Sequence, residues 1–104
     1  MSTPTEIVPS AAVLFQAAKL ALKDDKPIQL DYYVDTFSGS AFMGEDTDTK
    51  EKMLVKSNEE FTSLIKNVYK VGEDYIVVTE NSIYIVSGKI QKRRIQAPAL
   101  RDMN

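Results

Sequence analysis

Carboxylates are the groups of this chain that gather at spacings suited to acid–base or metal chemistry. Asp31 and Asp35 flank Tyr33, and Glu45-Asp46-Thr47-Asp48-Thr49-Lys50-Glu51 sets four acids in seven residues. A hard cation such as Ca²⁺ is held by oxygen ligands at fixed loop positions. A loop of the EF-hand type begun at Asp46 would need an oxygen where Lys50 stands, Gly where Glu51 stands and Glu where Ser57 stands. It fails at all three positions, so the segment reads as a solvated charge run. If residues 28–35 form a strand, Asp31 and Asp35 lie about 13 Å apart at a rise of about 3.3 Å per residue. That exceeds the separation of roughly 5 to 9.5 Å between the two carboxylates of a glycosidase.

The 104 residues include no His and no Cys. Imidazole is the commonest general base, and the thiolate is the most readily activated nucleophile. Their absence removes both chemistries, together with the usual zinc ligands. No G-x-S-x-G elbow, Walker A loop or G-x-G-x-x-G turn occurs, and the glycines are only Gly39, Gly44, Gly72 and Gly88. The chain is therefore read as non-catalytic, with no catalytic residue, cofactor or metal ligand assigned. A small hydrolase or isomerase resting on carboxylates from different segments is the third-ranked alternative.

Recognition chemistry is more promising. The formal net charge of −2 hides a segregated distribution. Residues 1–88 carry fourteen acids against eight lysines and no arginine. Lys89, Lys92, Arg93, Arg94 and Arg101 oppose only Asp102 in the last sixteen residues. Arginine grips carboxylate and phosphate with two parallel hydrogen bonds, which lysine cannot do. These five cations are the expected partner-binding residues, interleaved with Ile90 and Ile95. An acidic protein surface, including another copy of the chain, is the favoured partner. Nucleic acid contacted through phosphates is the alternative, disfavoured by the acidic body. Four clustered cations without an aromatic or long apolar face are a weak membrane signal. A competing structural reading makes this stretch a last strand whose basic side chains keep an edge from aggregating.

The elements that must position these groups can be read from periodicity. Residues 1–9, with two prolines, suggest a flexible N-terminal arm. Ser10 precedes a helix to about Asp24, whose stripe is Leu14, Ala17, Ala18 and Ala21, widened by Val13 and Leu20. Ile28 to Asp35 alternates as a half-buried strand. Thr36 to Ser40 reads as a turn, Ala41 to Met43 as a short strand, Gly44 to Lys52 as a hydrophilic loop and Met53 to Lys56 as another strand. Ser57-Asn58-Glu59-Glu60 has the form of a capping box opening a helix with stripe Phe61, Leu64, Ile65 and Val68, stopped at Gly72. Residues 73–79 and 82–90 then form a hairpin about Glu80-Asn81, with Asn81 supplying positive φ. Tyr32, Tyr33, Phe37 and Phe42 cluster near the first turn and would make a contact patch if exposed together.

A shift of 47 residues lays one half on the other, so an αββ unit used twice is one reading; shared helix–strand grammar is the other. The expected fold is α+β, with two helices on a mostly antiparallel sheet of four or five strands and extended arms at both ends. Residues 10–90 would be a single domain and 91–104 a basic C-terminal tail. No run of 18 apolar residues predicts a membrane span, and Met1 to Pro9 lacks a signal-peptide pattern. A cytoplasmic location, or one within a macromolecular particle, follows as the expectation. The role that fits is a small structural or adaptor subunit of a larger assembly, such as a minor virion component, docking by its hairpin and its tail.

Overall fold

A computed structural model describes residues 8–57 and 59–95. The first helix, α1 (Ala11–Asp24), starts where the sequence places it. The Ser10 side chain accepts the Val13 N–H at 3.2 Å, and Lys23 lies in the last turn. Asp25, at φ 55°, ends it in the left-handed conformation. Its packed stripe is rotated from the expected one. Val13 and Ala17 are buried, with Leu20 and Ala21 packed beside them, whereas Leu14 and Ala18 are exposed.

The next strand, β1, covers only Ile28–Gln29, and the alternating segment turns into a second helix, α2 (Tyr33–Ser38). This corrects the predicted strand over 28–35. Tyr32, Tyr33 and Thr36 are buried, a helical spacing, while Leu30 and Val34 remain about half exposed. A window this short fits both periods, and tertiary contacts choose between them. The Tyr33 hydroxyl donates to buried Asp74 at 2.9 Å, and Thr36 Oγ1 accepts the Ser87 N–H at 3.0 Å. Both contacts require the helical backbone.

Six further strands follow: β2 (Phe42–Asp46), β3 (Lys52–Ser57), β4 (Glu60–Phe61), β5 (Ile65–Val71), β6 (Asp74–Thr79) and β7 (Ile83–Ser87). The last, β8, spans Gln91–Ile95. The predicted helix after Ser57 is absent. Ser57 Oγ accepts the Glu59 N–H at 3.1 Å, the local bond of a serine turn, and the chain reverses into β4. Gly72 does not stop a helix. It takes φ 61° at the first central position of the β5–β6 hairpin, as a type II′ turn demands. Without the second helix, the αββ repeat has no structural counterpart.

The α+β class stands, with two four-stranded sheets in place of one. Their orders are β1-β7-β6-β5 and β4-β3-β2-β8; β1 runs parallel to β7 and β8 parallel to β2, and the other pairs are antiparallel. The predicted hairpin is β6–β7, pairing Tyr75 with Val86 and Val78 with Ile83. Its turn is held by Thr79 Oγ1, which accepts the Asn81 and Ser82 N–H groups, so Asn81 needs no positive φ. Both hairpin faces are covered. Ile76, Val78, Ile83 and Ile85 pack under α1 with Val13 and Ala17, while Val77 and Val86 face Met43 and Leu54 of the second sheet. A hairpin buried on both sides cannot dock a partner by its faces.

Burial, and then the hydrogen bond to the Asp74 carboxylate, pushes the Tyr33 hydroxyl up to about 12 from its ordinary 10.0. Burial also raises Tyr32 and Tyr84. A raised pKa means the folded chain holds the proton more tightly than the unfolded one. This stabilisation is complete below pH 10 and is lost as pH climbs toward 12. Denaturant midpoints measured across that window should fall for the native chain and fall less steeply for Tyr33→Phe. At neutral pH, Tyr33→Phe should cost about 1–3 kcal/mol, because buried Asp74 loses a donor.

Candidate interaction surface

The basic stretch forms an edge strand, not a free arm. Gly88 makes the corner from β7, and a Cβ there would run into the Glu73 carbonyl. Ile90 is buried between the sheets and anchors the crossing. From there β8 alternates across its sheet. Gln91, Arg93 and Ile95 share one face with Phe42 and Gly44, and Lys92 and Arg94 share the other with Met43 and Glu45. Ile95 lies directly over Gly44, where a Cβ would approach Ile95 Cδ1 to 2.6 Å, and it joins the small apolar cluster of Met53 and Val55. The Ile95 carbonyl also accepts the Thr47 N–H at 3.1 Å, tying the strand's end to the β2–β3 turn.

That register gathers cations that the sequence does not bring together. Glu45 is paired across the sheet with Lys52 on one side and Arg94 on the other. Met43, Glu45, Lys52, Lys92, Arg93 and Arg94 line a groove of about 290 Å³. A smaller hollow of about 130 Å³ adjoins it through Met43, Lys52 and Lys92, and adds Val68, Tyr75 and Ile90. Lys52, Lys92 and Arg94 thus share one face of the sheet with a single carboxylate, Glu45, above an apolar floor, while Arg93 stands on the other face. Arg93 stacks its guanidinium 4.6 Å from the Phe42 ring centre and donates to Gln91 Oε1 at 2.7 Å. Among the described residues the ion pairs belong to Lys56 and Lys66, so the cations of this groove have no acidic side chain within pairing distance.

Of the five expected partner-binding residues, Lys92 and Arg94 line this groove from one face of β8, and Arg93 stands on the other face of the same strand. Lys89 sits apart at the corner, its ammonium 4.5 Å from the Phe37 ring centre. Arg101 lies outside the described residues, as do residues 96–104 and 1–7 of the two expected arms. The sequence reads Lys52 and Glu45 as loop residues, and nothing local to them marks their membership; the parallel β2–β8 pairing that sets them beside Arg94 spans half the chain. The four aromatics foreseen as one patch are divided. Tyr32 and Tyr33 enter different core clusters, while Phe42 lies beneath Arg93 and Phe37 beneath Lys89.

The carboxylates have structural work. Asp31 and Asp35 are brought together, against the strand-based separation, by Lys56. Its ammonium stands 3.7 Å from Asp31, 3.5 Å from Asp35, 3.8 Å from Glu60 and 4.5 Å from the centre of the Tyr32 ring. This cluster latches β3 and β4 to the start of α2. The acidic segment is a tight turn between β2 and β3. Asp46, fully buried, accepts the Asp48 N–H at 2.8 Å, and Lys50 takes φ 67°. No group of described residues has three potential ligands placed to hold a metal ion. No helix among the described residues is long and apolar enough to cross a membrane.

Comparison of the chain with protein-family models, with curated proteins and with solved structures finds no match.

Replacing Lys56 with Met should leave the three carboxylates repelling one another around an apolar side chain. A loss of about 1–2 kcal/mol is expected in dilute buffer, on the scale of a small charge network at a partly buried site. The difference from the native chain should shrink in molar NaCl, where the screening length is about 3 Å. Urea titrations at low and high salt measure both effects.

Proposed function

We propose that this protein is a non-catalytic adaptor subunit of a larger assembly, and that it docks an acidic protein segment along β8. The observation that carries the reading is the cluster of Lys52, Lys92 and Arg94 around the one carboxylate of Glu45, with Arg93 on the other face of the same edge strand and none of the four in an ion pair among the described residues. No strand of the described residues covers the outer edge of β8, so its backbone can accept an added strand. Side chains of that added strand would alternate between the Arg93 face and the Lys92–Arg94 face. Acidic residues suit both faces, and the Met43, Val68, Tyr75 and Ile90 floor takes apolar ones.

The opposite sheet supplies a useful contrast. Its outer strand β5 carries Lys66 and Lys70, and Lys66 is answered by Glu80 at 3.7 Å. That is how an edge is protected by lysine. The β8 edge differs in bearing arginines, in forming no ion pair among the described residues although Glu45 stands beside Arg94, and in flanking a groove. A second copy of β8 is a poor occupant, because like charges would stand directly opposite one another. The acidic body of the chain argues against a long nucleic acid, whose phosphates it would repel outside the β8 face. The site of action consistent with this role is the cytoplasm or the interior of a macromolecular particle, a virion among them.

Anisotropy of a labelled, alternating Glu–Val peptide tests the reading. Binding is expected to weaken at least about tenfold in the double variant Lys92→Glu, Arg94→Glu, a change worth about 1.4 kcal/mol, and to fall as salt rises. Single-stranded DNA of equal charge is the comparison. Tighter binding to the DNA than to the peptide would hand the site to nucleic acid, and binding of neither would remove the docking role from β8.

A further inference from the structure

The outward face of α1 carries a second apolar stripe that the fold does not use. Ala11, Phe15, Ala18 and Leu22 are separated by four, three and four residues and are all exposed; Phe15 is 62% and Leu22 87% accessible. They lie on the side of the helix opposite Val13, Ala17, Leu20 and Ala21, which pack on the sheet. A surface helix ordinarily sets polar residues there. A 4-3-4 spacing is the seam of a two-helix contact.

We infer that this seam pairs antiparallel with α1 of a second copy of the chain, about a twofold axis between Gln16 and Ala17. The sizes along the seam alternate small, large, small, large. Reversed against itself, the pattern sets Phe15 against the partner's Ala18 and Leu22 against the partner's Ala11, each bulky group meeting a methyl. A parallel pair would oppose Phe15 to its own equivalent and leave the alanines facing across a gap. Charge agrees with the antiparallel choice. The first turn of α1 has no acidic residue of its own, while Asp24 and Asp25 stand at its far end. Antiparallel pairing carries each copy's Asp25, the residue that caps α1, to the amide end of the other helix, where negative charge is favoured, whereas Asp24 points away from the seam. Lys19, beside the seam, lays its ammonium 5.4 Å from the centre of its own Phe15 ring, on the flank that would meet the partner's Ala12, and Lys23 projects about 100° away from the seam, so no cations are opposed.

A 14-residue helix is about 21 Å long. Its seam covers less than the roughly 800 Å² per partner of a standard stable interface, so the dimer is weak and concentration-dependent. It is formed by a face of the molecule remote in composition from the cationic β8 groove, and the two surfaces together would let one subunit bridge a copy of itself and an acidic neighbour.

Sedimentation equilibrium of the full chain, from micromolar to near-millimolar concentration, tests the inference. The native chain should rise toward twice its monomer mass. Phe15→Glu and Ala18→Lys alter exposed positions and should each remain monomeric with unchanged thermal unfolding. Mixed in equal amounts, the two variants should recover the dimer, because the introduced carboxylate meets the introduced ammonium at one contact while Phe15 and Ala18 meet at the other. A native chain that stays monomeric throughout, a Phe15→Glu chain that dimerises as the native one does, or a mixture that stays monomeric overturns the pairing.

Discussion

A hairpin that is apolar on both faces cannot sit at the surface of a protein, and β6–β7 is such a hairpin. Its side chains at Ile76, Val78, Ile83 and Ile85 need one cover, and those at Val77 and Val86 need another. The first is α1, whose alanine at position 17 lets the helix approach closely. The second is the inner face of the β2–β3 sheet, brought in through Met43 and Leu54. The remaining elements serve as joints. The helix α2 sets Tyr33 on Asp74 and Thr36 on Ser87, and Ile90 fills the corner where the chain leaves one sheet for the other. Burial supplies the main force here, at about 25 cal/mol per Å² of apolar surface. The polar groups enclosed with it are tolerated because they are hydrogen-bonded.

The same constraint decides what is left for recognition. With the hairpin enclosed, the exposed chemistry moves to the margins: two sheet edges and the outer face of α1. At β5 the lysines defend an open edge, one of them paired with Glu80. At β8 the cations form no ion pair among the described residues, with Glu45 beside Arg94 on one face and Arg93 stacked on an aromatic ring on the other. On α1, alanine, phenylalanine and leucine occupy a face with no sheet to cover it. Carboxylates, by contrast, are spent internally. Asp31, Asp35 and Glu60 surround Lys56, Asp46 organises a turn and Asp74 accepts the hydrogen bond of the Tyr33 hydroxyl.

Local signals were trustworthy where two of them agreed. Ser10 followed by an apolar 3.6-residue period, ended before Pro27, gave α1 its true limits, and two β-branched runs about a four-residue turn gave β6–β7. Where one signal stood alone it misled. The serine-and-glutamate pattern at 57–60 reads as a helix cap, yet the same serine bond also opens a tight turn, and Gly72 with its positive φ serves a hairpin as readily as a helix end. The β-branched and aromatic content of 65–71, with Ile65, Val68, Tyr69 and Val71, favours the strand that forms there. The 28–35 segment alternated cleanly, but a buried acceptor for the Tyr33 hydroxyl forty-one residues away outweighed alternation.

By itself, the sequence determined the chemical limits and the charge map: no imidazole, no thiol, an acidic body and arginines confined to the end. Those follow from composition, which folding cannot alter. It also determined α1 and the central hairpin, because short-range hydrogen bonds and periodic burial suffice to specify them. The tertiary structure alone decided that the basic stretch is a strand beside β2, that Lys52 and Glu45 join it, that Lys56 draws Asp31 and Asp35 together, and that α1 keeps a second apolar face outside. Each of these depends on pairing or packing between segments far apart in the chain, where the gain comes from burying the two surfaces together and neither segment carries the information alone.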